Sequence, residues 1–110
     1  MKQGDIFWAD LDPTIGQEQR GSRPVVIISG NALNRNLRIR IVCPLSSHIK
    51  HLKGCVIVKK NKINNLETDS EVIPFQVRSI STDRLRTKMG EITVEQLELI
   101  KNGLFEMLIF

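Results

Sequence analysis

The chain has 110 residues, 41% apolar and 25% charged, and a formal net charge of +4. That is enough for one domain, residues 1–110, with a modest core of its own and no need of staples. No apolar run approaches a membrane span, and Gly4 and Asp5 interrupt any leader-like stretch after Lys2, so a cytoplasmic setting with Cys43 and Cys55 as reduced thiols is expected.

Strand-like runs come early and often. Asp5–Leu11 and Pro24–Ser29 flank a polar connection far longer than the two to five residues of a tight hairpin. Pro13, Gly16 and Gly21 break it, and Thr14, Gln17, Glu18, Gln19, Arg20, Ser22 and Arg23 fill it with hydrogen-bonding groups. Long loops on rigid scaffolds tend to carry function. Phe7 and Trp8 alternate on the first strand, which predicts Phe7 in the core and Trp8 partly buried at a second surface, a candidate subunit contact.

Gly30-Asn31 opens a loop to Asn36. In Ile39–Leu45, apolar Ile39, Ile41, Cys43 and Leu45 alternate with Arg38, Arg40, Val42 and Pro44, which predicts one apolar face. Cys55–Lys59, Glu71–Phe75 and Val77–Ile80 read as further strands, with a polar turn between Asn61 and Asn65 and a short helical turn near Thr82–Leu85. The end is helical. Thr93 and Gln96 form a capping box, and Val94, Leu97, Ile100, Leu104, Met107 and Leu108 recur at helical spacing. Gly103 weakens this helix by about 1 kcal/mol relative to alanine. Many strands and a closing helix predict a mainly β protein with some α, a small, strongly curved antiparallel sheet of the SH3-like barrel kind, with the helix against it.

Charge is segregated along the chain. Between Arg20 and Lys62 there is no Asp or Glu, while Arg23, Arg35, Arg38, Arg40, Lys50, Lys53, Lys59 and Lys60 fall inside. Such a distribution points to a polyanionic partner.

Three ordered motifs carry a resemblance that covers essentially the whole chain. Gly4-Asp5, Asp12-Pro13-Thr14, Gly16, Glu18-Gln19, Gly21 and Arg23-Pro24-Val25-Val26 resemble the N-terminal signature of MazF/PemK-type toxins. Val42-Cys43-Pro44-Leu45-Ser46-Ser47 and Gln76-Val77-Arg78-Ser79-Ile80 resemble the second and third motifs of that family. The resemblance implies an SH3-like fold and a sequence-specific, metal-independent endoribonuclease of a type II toxin–antitoxin pair. It also implies a homodimer and an antitoxin whose acidic, disordered tail occupies the basic groove.

Metal-free RNA cleavage uses the ribose 2′-hydroxyl as internal nucleophile, which DNA lacks. The products are a 2′,3′-cyclic phosphate and a 5′-hydroxyl, and no cofactor is required. Arg23 is the candidate clamp on the transition state, because its planar fork matches phosphate oxygens bidentately. Glu18 is the candidate proton acceptor, or else a partner that organises the loop around Arg20 and Arg23. The resemblance places a catalytic arginine and a proposed base at these two positions. Ser46 stands where relatives usually carry a catalytic threonine and keeps the hydroxyl. Gln17, Gln19, Arg20, Ser47, His48, Lys50, Gln76 and Arg78 are candidates for holding phosphates or base edges of single-stranded RNA. Phe75 departs from the acidic residue of several relatives and either stacks on a base or fills the core.

Alternative readings use the same letters. Cys43, His48, His51 and Cys55 are four residues of kinds that bind zinc, but at no paired-ligand spacing. Two small buried hydrophobes and two surface histidines explain the same letters. A non-catalytic RNA-binding barrel would bind without cutting. Gyrase-inhibiting toxins of similar fold act through C-terminal residues that include a tryptophan, and this chain ends Met107-Leu108-Ile109-Phe110 without one.

Overall fold

The computed structural model describes residues 1–11 and 21–110. Among the described residues are seven strands: β1 (Asp5–Asp10), β2 (Ser22–Ile27), β3 (Ile39–Ser46), β4 (Val56–Val58), β5 (Ser70–Val72), β6 (Arg78–Ser81) and β7 (Leu85–Glu91). Two α-helices, α1 (Asn31–Asn36) and α2 (Val94–Ile109), and two short 3-10 turns at Pro74–Gln76 and Thr82–Arg84 complete it. The described pairings are all antiparallel and run β4-β5-β3-β2-β1-β7, with β6 against β3. The fold is therefore mainly β with a C-terminal helix, as expected. The sheet curves strongly without closing, and the principal extents of 33 × 33 × 31 Å show how far it departs from a flat layer.

β3 explains the curvature. One edge pairs with β2, while the other is divided: Ile39–Val42 pairs with β6, and Leu45–Ser46 with β5. A single strand thus belongs to two sheets that diverge midway along it. The alternation in the sequence predicts one apolar face, but both faces are buried. Val42 joins Phe7, Ala9, Leu11, Val25, Ile27, Ile80 and Leu85 in one cluster. Cys43 and Leu45 join Ile6, Val26, Val58, Val72, Leu97 and Ile100 in a second, beneath α2. Arg40 also breaks the expected pattern: it is only 8% exposed, and its guanidinium donates to the carbonyls of Met1, Leu37 and Ile39 at 2.8–3.1 Å. Buried charge is tolerable when its donors are satisfied in this way.

Other differences have local causes. Residues 31–36, expected as a loop, form one and a half turns of helix, because buried Asn34 bonds Ser29 through both its amide groups. β7, absent from the sequence reading, is held by β1 rather than by its own composition, since only Leu85 of its residues is buried. The expected strand 71–75 ends at Val72, where Pro74 starts a 3-10 turn. The Thr82–Arg84 turn and the Thr93–Gln96 capping box are present as expected, the latter with both reciprocal bonds.

Helix α2 buries less of its apolar stripe than its spacing suggests. Leu97 and Ile100 are buried and Leu104 packs against them, whereas Val94 and Leu108 are 71% and 76% exposed. Gly103 turns out to be a packing residue. A Cβ there would lie 2.4 Å from the carbonyl oxygen of Gly54. Gly103→Ala is therefore expected to destabilise the protein by about 1–3 kcal/mol through overpacking, the opposite of the gain helix propensity predicts. Urea unfolding of the variant distinguishes the two signs.

Candidate active site

Leu11 and Gly21, which flank the segment 12–20, are held together. Leu11 N donates to Gly21 O at 3.0 Å, and Gly21 has φ of +72°, a left-handed conformation that glycine adopts without steric cost. Two arginines fix the outgoing strand: Arg84 Nη1 donates to Asp10 O and Arg78 Nη1 to Leu11 O, each at 3.3 Å. The sequence candidates Gln17, Glu18, Gln19 and Arg20 lie outside the described residues. Leu11 and Gly21, between which they fall in the sequence, meet beside Arg78.

Arg23 lies on β2 opposite Ala9 of β1. The Val25–Pro44 register, carried two residues further, brings Arg23 level with Ser46 on β3. Ser46 in turn pairs with Glu71 on β5. Arg78 of β6 stands opposite Val42, on the same face of β3 as Ser46 by alternation. Arg23, Ser46 and Arg78 thus share one face of the sheet near the paired Leu11 and Gly21, with Gln76 in the preceding 3-10 turn.

Ser46 is 7% exposed, and its hydroxyl oxygen accepts from His48 N at 3.1 Å. The bond closes a turn that sends Ser47, His48 and Lys50 to the surface, all three exposed. This turn has an anchor that the sequence reading did not single out. Glu71, 1% exposed, accepts from Lys50 N at 3.0 Å through Oε1 and from Leu52 N at 3.1 Å through Oε2. A carboxylate embedded in an otherwise apolar sheet is the signal that could have found it, because such a group stays buried only with donors on both oxygens.

The basic segment does not form one patch. Arg40 is buried, Arg35 lies in α1, and Arg38 adjoins the end of β3 away from Ser46, about 25 Å along the strand at roughly 3.3 Å per residue. Lys60 lies beside Asp69, which accepts from its backbone N–H. Arg23 and Arg78 lie beside the paired Leu11 and Gly21, Lys50 lies on the segment held by Glu71, and Lys53 borders the groove under the end of α2.

A recess of about 180 Å³ is lined by the apolar side chains of Trp8, Pro24, Leu45, Leu66 and Met89. Arg23, Ser47, Glu67 and Thr68 border it. Trp8, 37% exposed, forms part of this recess. Phe75 does not fill the core. It is 49% exposed and, with Met107 and Phe110, lines an apolar groove of about 360 Å³ under the end of α2.

Among the described residues no three His, Cys, Asp or Glu side chains form a group able to hold a metal ion. Burial, with Cys55 close by, pushes the Cys43 thiol up to about 12. Burial and the neighbouring Glu71 raise Cys55 as well. Neither is a ready thiolate nucleophile.

Comparison with known proteins agrees with this architecture. Residues 2–108 match the family described as PemK-like, MazF-like toxin of type II toxin–antitoxin system. The chain is 32% identical to Endoribonuclease EndoA of Bacillus subtilis over 105 residues, covering 94% of this chain and 90% of that protein. Its fold matches the crystal structure of MazF from Deinococcus radiodurans with a TM-score of 0.85 at 23% identity, over 100% and 97% of the two chains. A mycobacterial endoribonuclease solved in complex with its cognate antitoxin matches at a TM-score of 0.81 and 21% identity, over 100% and 96%.

Glu71→Ala should lower stability by about 3 kcal/mol, since two buried N–H groups lose a charged acceptor; Glu71→Gln, retaining one acceptor, should lose less. Chemical unfolding of both variants gives the comparison. For Cys43 the folded thiol titrates above its ordinary value of 9.0. Its stabilising contribution is complete below pH 9 and is lost as pH rises toward 12. The melting temperature of Cys43→Ala should consequently fall less steeply than that of the parent over this window.

Proposed function

The chain belongs to the PemK-like, MazF-like toxin family, and from that membership we propose that it is an endoribonuclease toxin that cuts single-stranded RNA at specific sequences without a metal ion. The observation that carries the reading is the convergence of Arg23, Ser46 and Arg78 on one sheet face beside the paired Leu11 and Gly21, between which Glu18 falls in the sequence.

In this reading the ribose 2′-oxygen attacks the adjacent phosphorus, and its proton passes to the Glu18 carboxylate. Arg23 holds the non-bridging oxygens as charge builds on them, a role suited to a fixed planar cation. The P–O5′ bond then breaks. The departing alkoxide takes a proton from the Arg23 guanidinium, a weak acid but a stronger one than the alcohol released. A 2′,3′-cyclic phosphate and a 5′-hydroxyl remain, with no cofactor consumed. Ser46 steadies the 46–48 turn, and Ser47, His48, Lys50, Gln76 and Arg78, with Gln17, Gln19 and Arg20 of the loop, hold phosphates and base edges.

The protein acts in the cytoplasm as a homodimer, neutralised by an antitoxin with an acidic, disordered tail. The exposed Phe105, Leu108 and Ile109 of α2 supply apolar surface of the sort that oligomers and partners cover. Among the described residues no helix is long and apolar enough to cross a membrane.

Purified protein incubated with a long unstructured RNA in excess EDTA should give discrete fragments with cyclic-phosphate 3′ ends. Arg23→Ala should reduce the cutting rate at least about a hundredfold, the scale of losing one oriented transition-state donor, while keeping the melting temperature. Binding with no cuts by the parent protein would move the assignment to a non-catalytic RNA-binding barrel.

A further inference from the structure

The recess beside Trp8 is bordered by Arg23 and Ser47, two residues that the reading above places on the RNA. At about 180 Å³ it falls below the 300–1,000 Å³ or so of sites for drug-sized ligands. It suits a single flat ring. The apolar side chains of Leu45, Leu66 and Met89 and the half-exposed indole of Trp8 give such a ring a face to stack on, a sequence-tolerant contact.

The rim supplies discrimination. Glu67 is a carboxylate on a surface proposed to hold a polyanion, where an added negative charge opposes binding unless it meets hydrogen-bond donors. Ionised, it can only accept. Ser47 and Thr68 carry hydroxyls that can donate. Among the four RNA bases only guanine presents two adjacent donors, N1–H and N2–H, on its Watson–Crick edge, with an acceptor, O6, beside them. Adenine and cytosine place a ring acceptor next to the amino group, and uracil flanks its one N–H with two carbonyls. Single-stranded RNA exposes these edges for reading.

We infer that the recess formed by Trp8, Leu45, Leu66 and Met89 is a nucleobase subsite that selects guanine, with Glu67 bidentate to N1–H and N2–H and a rim hydroxyl donating to O6. This rests on the proposed action on single-stranded RNA and adds a determinant of which sequences are cut. It places a guanine close to the phosphate that Arg23 clamps.

Trp8 is the sole tryptophan, so its emission reports occupancy without any need for turnover. The probes are 2′-O-methyl pentanucleotides of uridine carrying one central guanosine, adenosine or cytidine, together with the all-uridine pentamer. None has the 2′-hydroxyl that cleavage requires. The guanosine pentamer should quench Trp8 with a half-saturating concentration about tenfold or more below the others, the discrimination of a good bidentate pair. Replacing its guanosine by inosine, which lacks the N2 amino group, should remove most of that advantage. Glu67→Gln, an exposed substitution that should keep the melting temperature, should leave a preference of about twofold or less. Equal quenching by all four pentamers, or a guanosine preference unchanged in Glu67→Gln, would overturn the assignment of guanine. No quenching by any pentamer, from protein that still cuts RNA, would overturn the recess as a base site and leave the endoribonuclease reading standing. Selective quenching by protein that cuts nothing would do the reverse.

Discussion

Everything in this fold is arranged around a strand that is buried along most of its length. β3 is paired along both edges, covered on one face by the Phe7–Leu85 cluster and on the other by the core beneath α2. Its divided far edge forces the sheet to bend, because β5 and β6 approach the same edge at different points along it. The antiparallel register of β2 on β3, carried two residues beyond Val25–Pro44, brings Arg23 level with Ser46, and the pairing of Ser46 with Glu71 ties that end of β3 to β5. No local feature of the Ser46 turn would create this arrangement alone.

Much of this was legible in the residues. Alternation found six of the seven strands, and the capping box located the start of α2. What escaped depended on partners distant in sequence. β7 has an exposed, mixed composition and becomes a strand only because β1 needs an edge partner. Arg40 reads as part of a basic patch until three carbonyls gather around it. Glu71 looks like one more strand-end acid, yet it ties down the turn that presents Ser47 and His48. Gly103 looks like a flaw in a helix and is a contact point. In each case the decisive neighbour is many residues away. Conversely, Arg23 and Ser46 were identified from motifs whose meaning is chemical, and the sheet brings them level across neighbouring strands.

The distribution of charge follows the same division. A run without acids suggested one polyanion surface, but the fold spreads it over separate regions and buries one of its cations. What remains beside the paired Leu11 and Gly21 is a short arc of Arg23 and Arg78, with Lys50 on the segment that Glu71 holds. A small positive arc favours a single strand followed over a few nucleotides, with selectivity coming from what surrounds each base more than from total charge.

The pinched stem between Leu11 and Gly21 has a consequence for how such proteins diversify. Its closing bond, with the carbonyls of Asp10 and Leu11 secured by Arg84 and Arg78, isolates the sheet from whatever lies between the two ends. Closing a longer loop adds only about 0.6 kcal/mol per doubling of length. Insertions on either side of Glu18 in this segment can therefore accumulate at small thermodynamic penalty while the sheet stays unaltered, and an engineer could lengthen the chain here without redesigning a core.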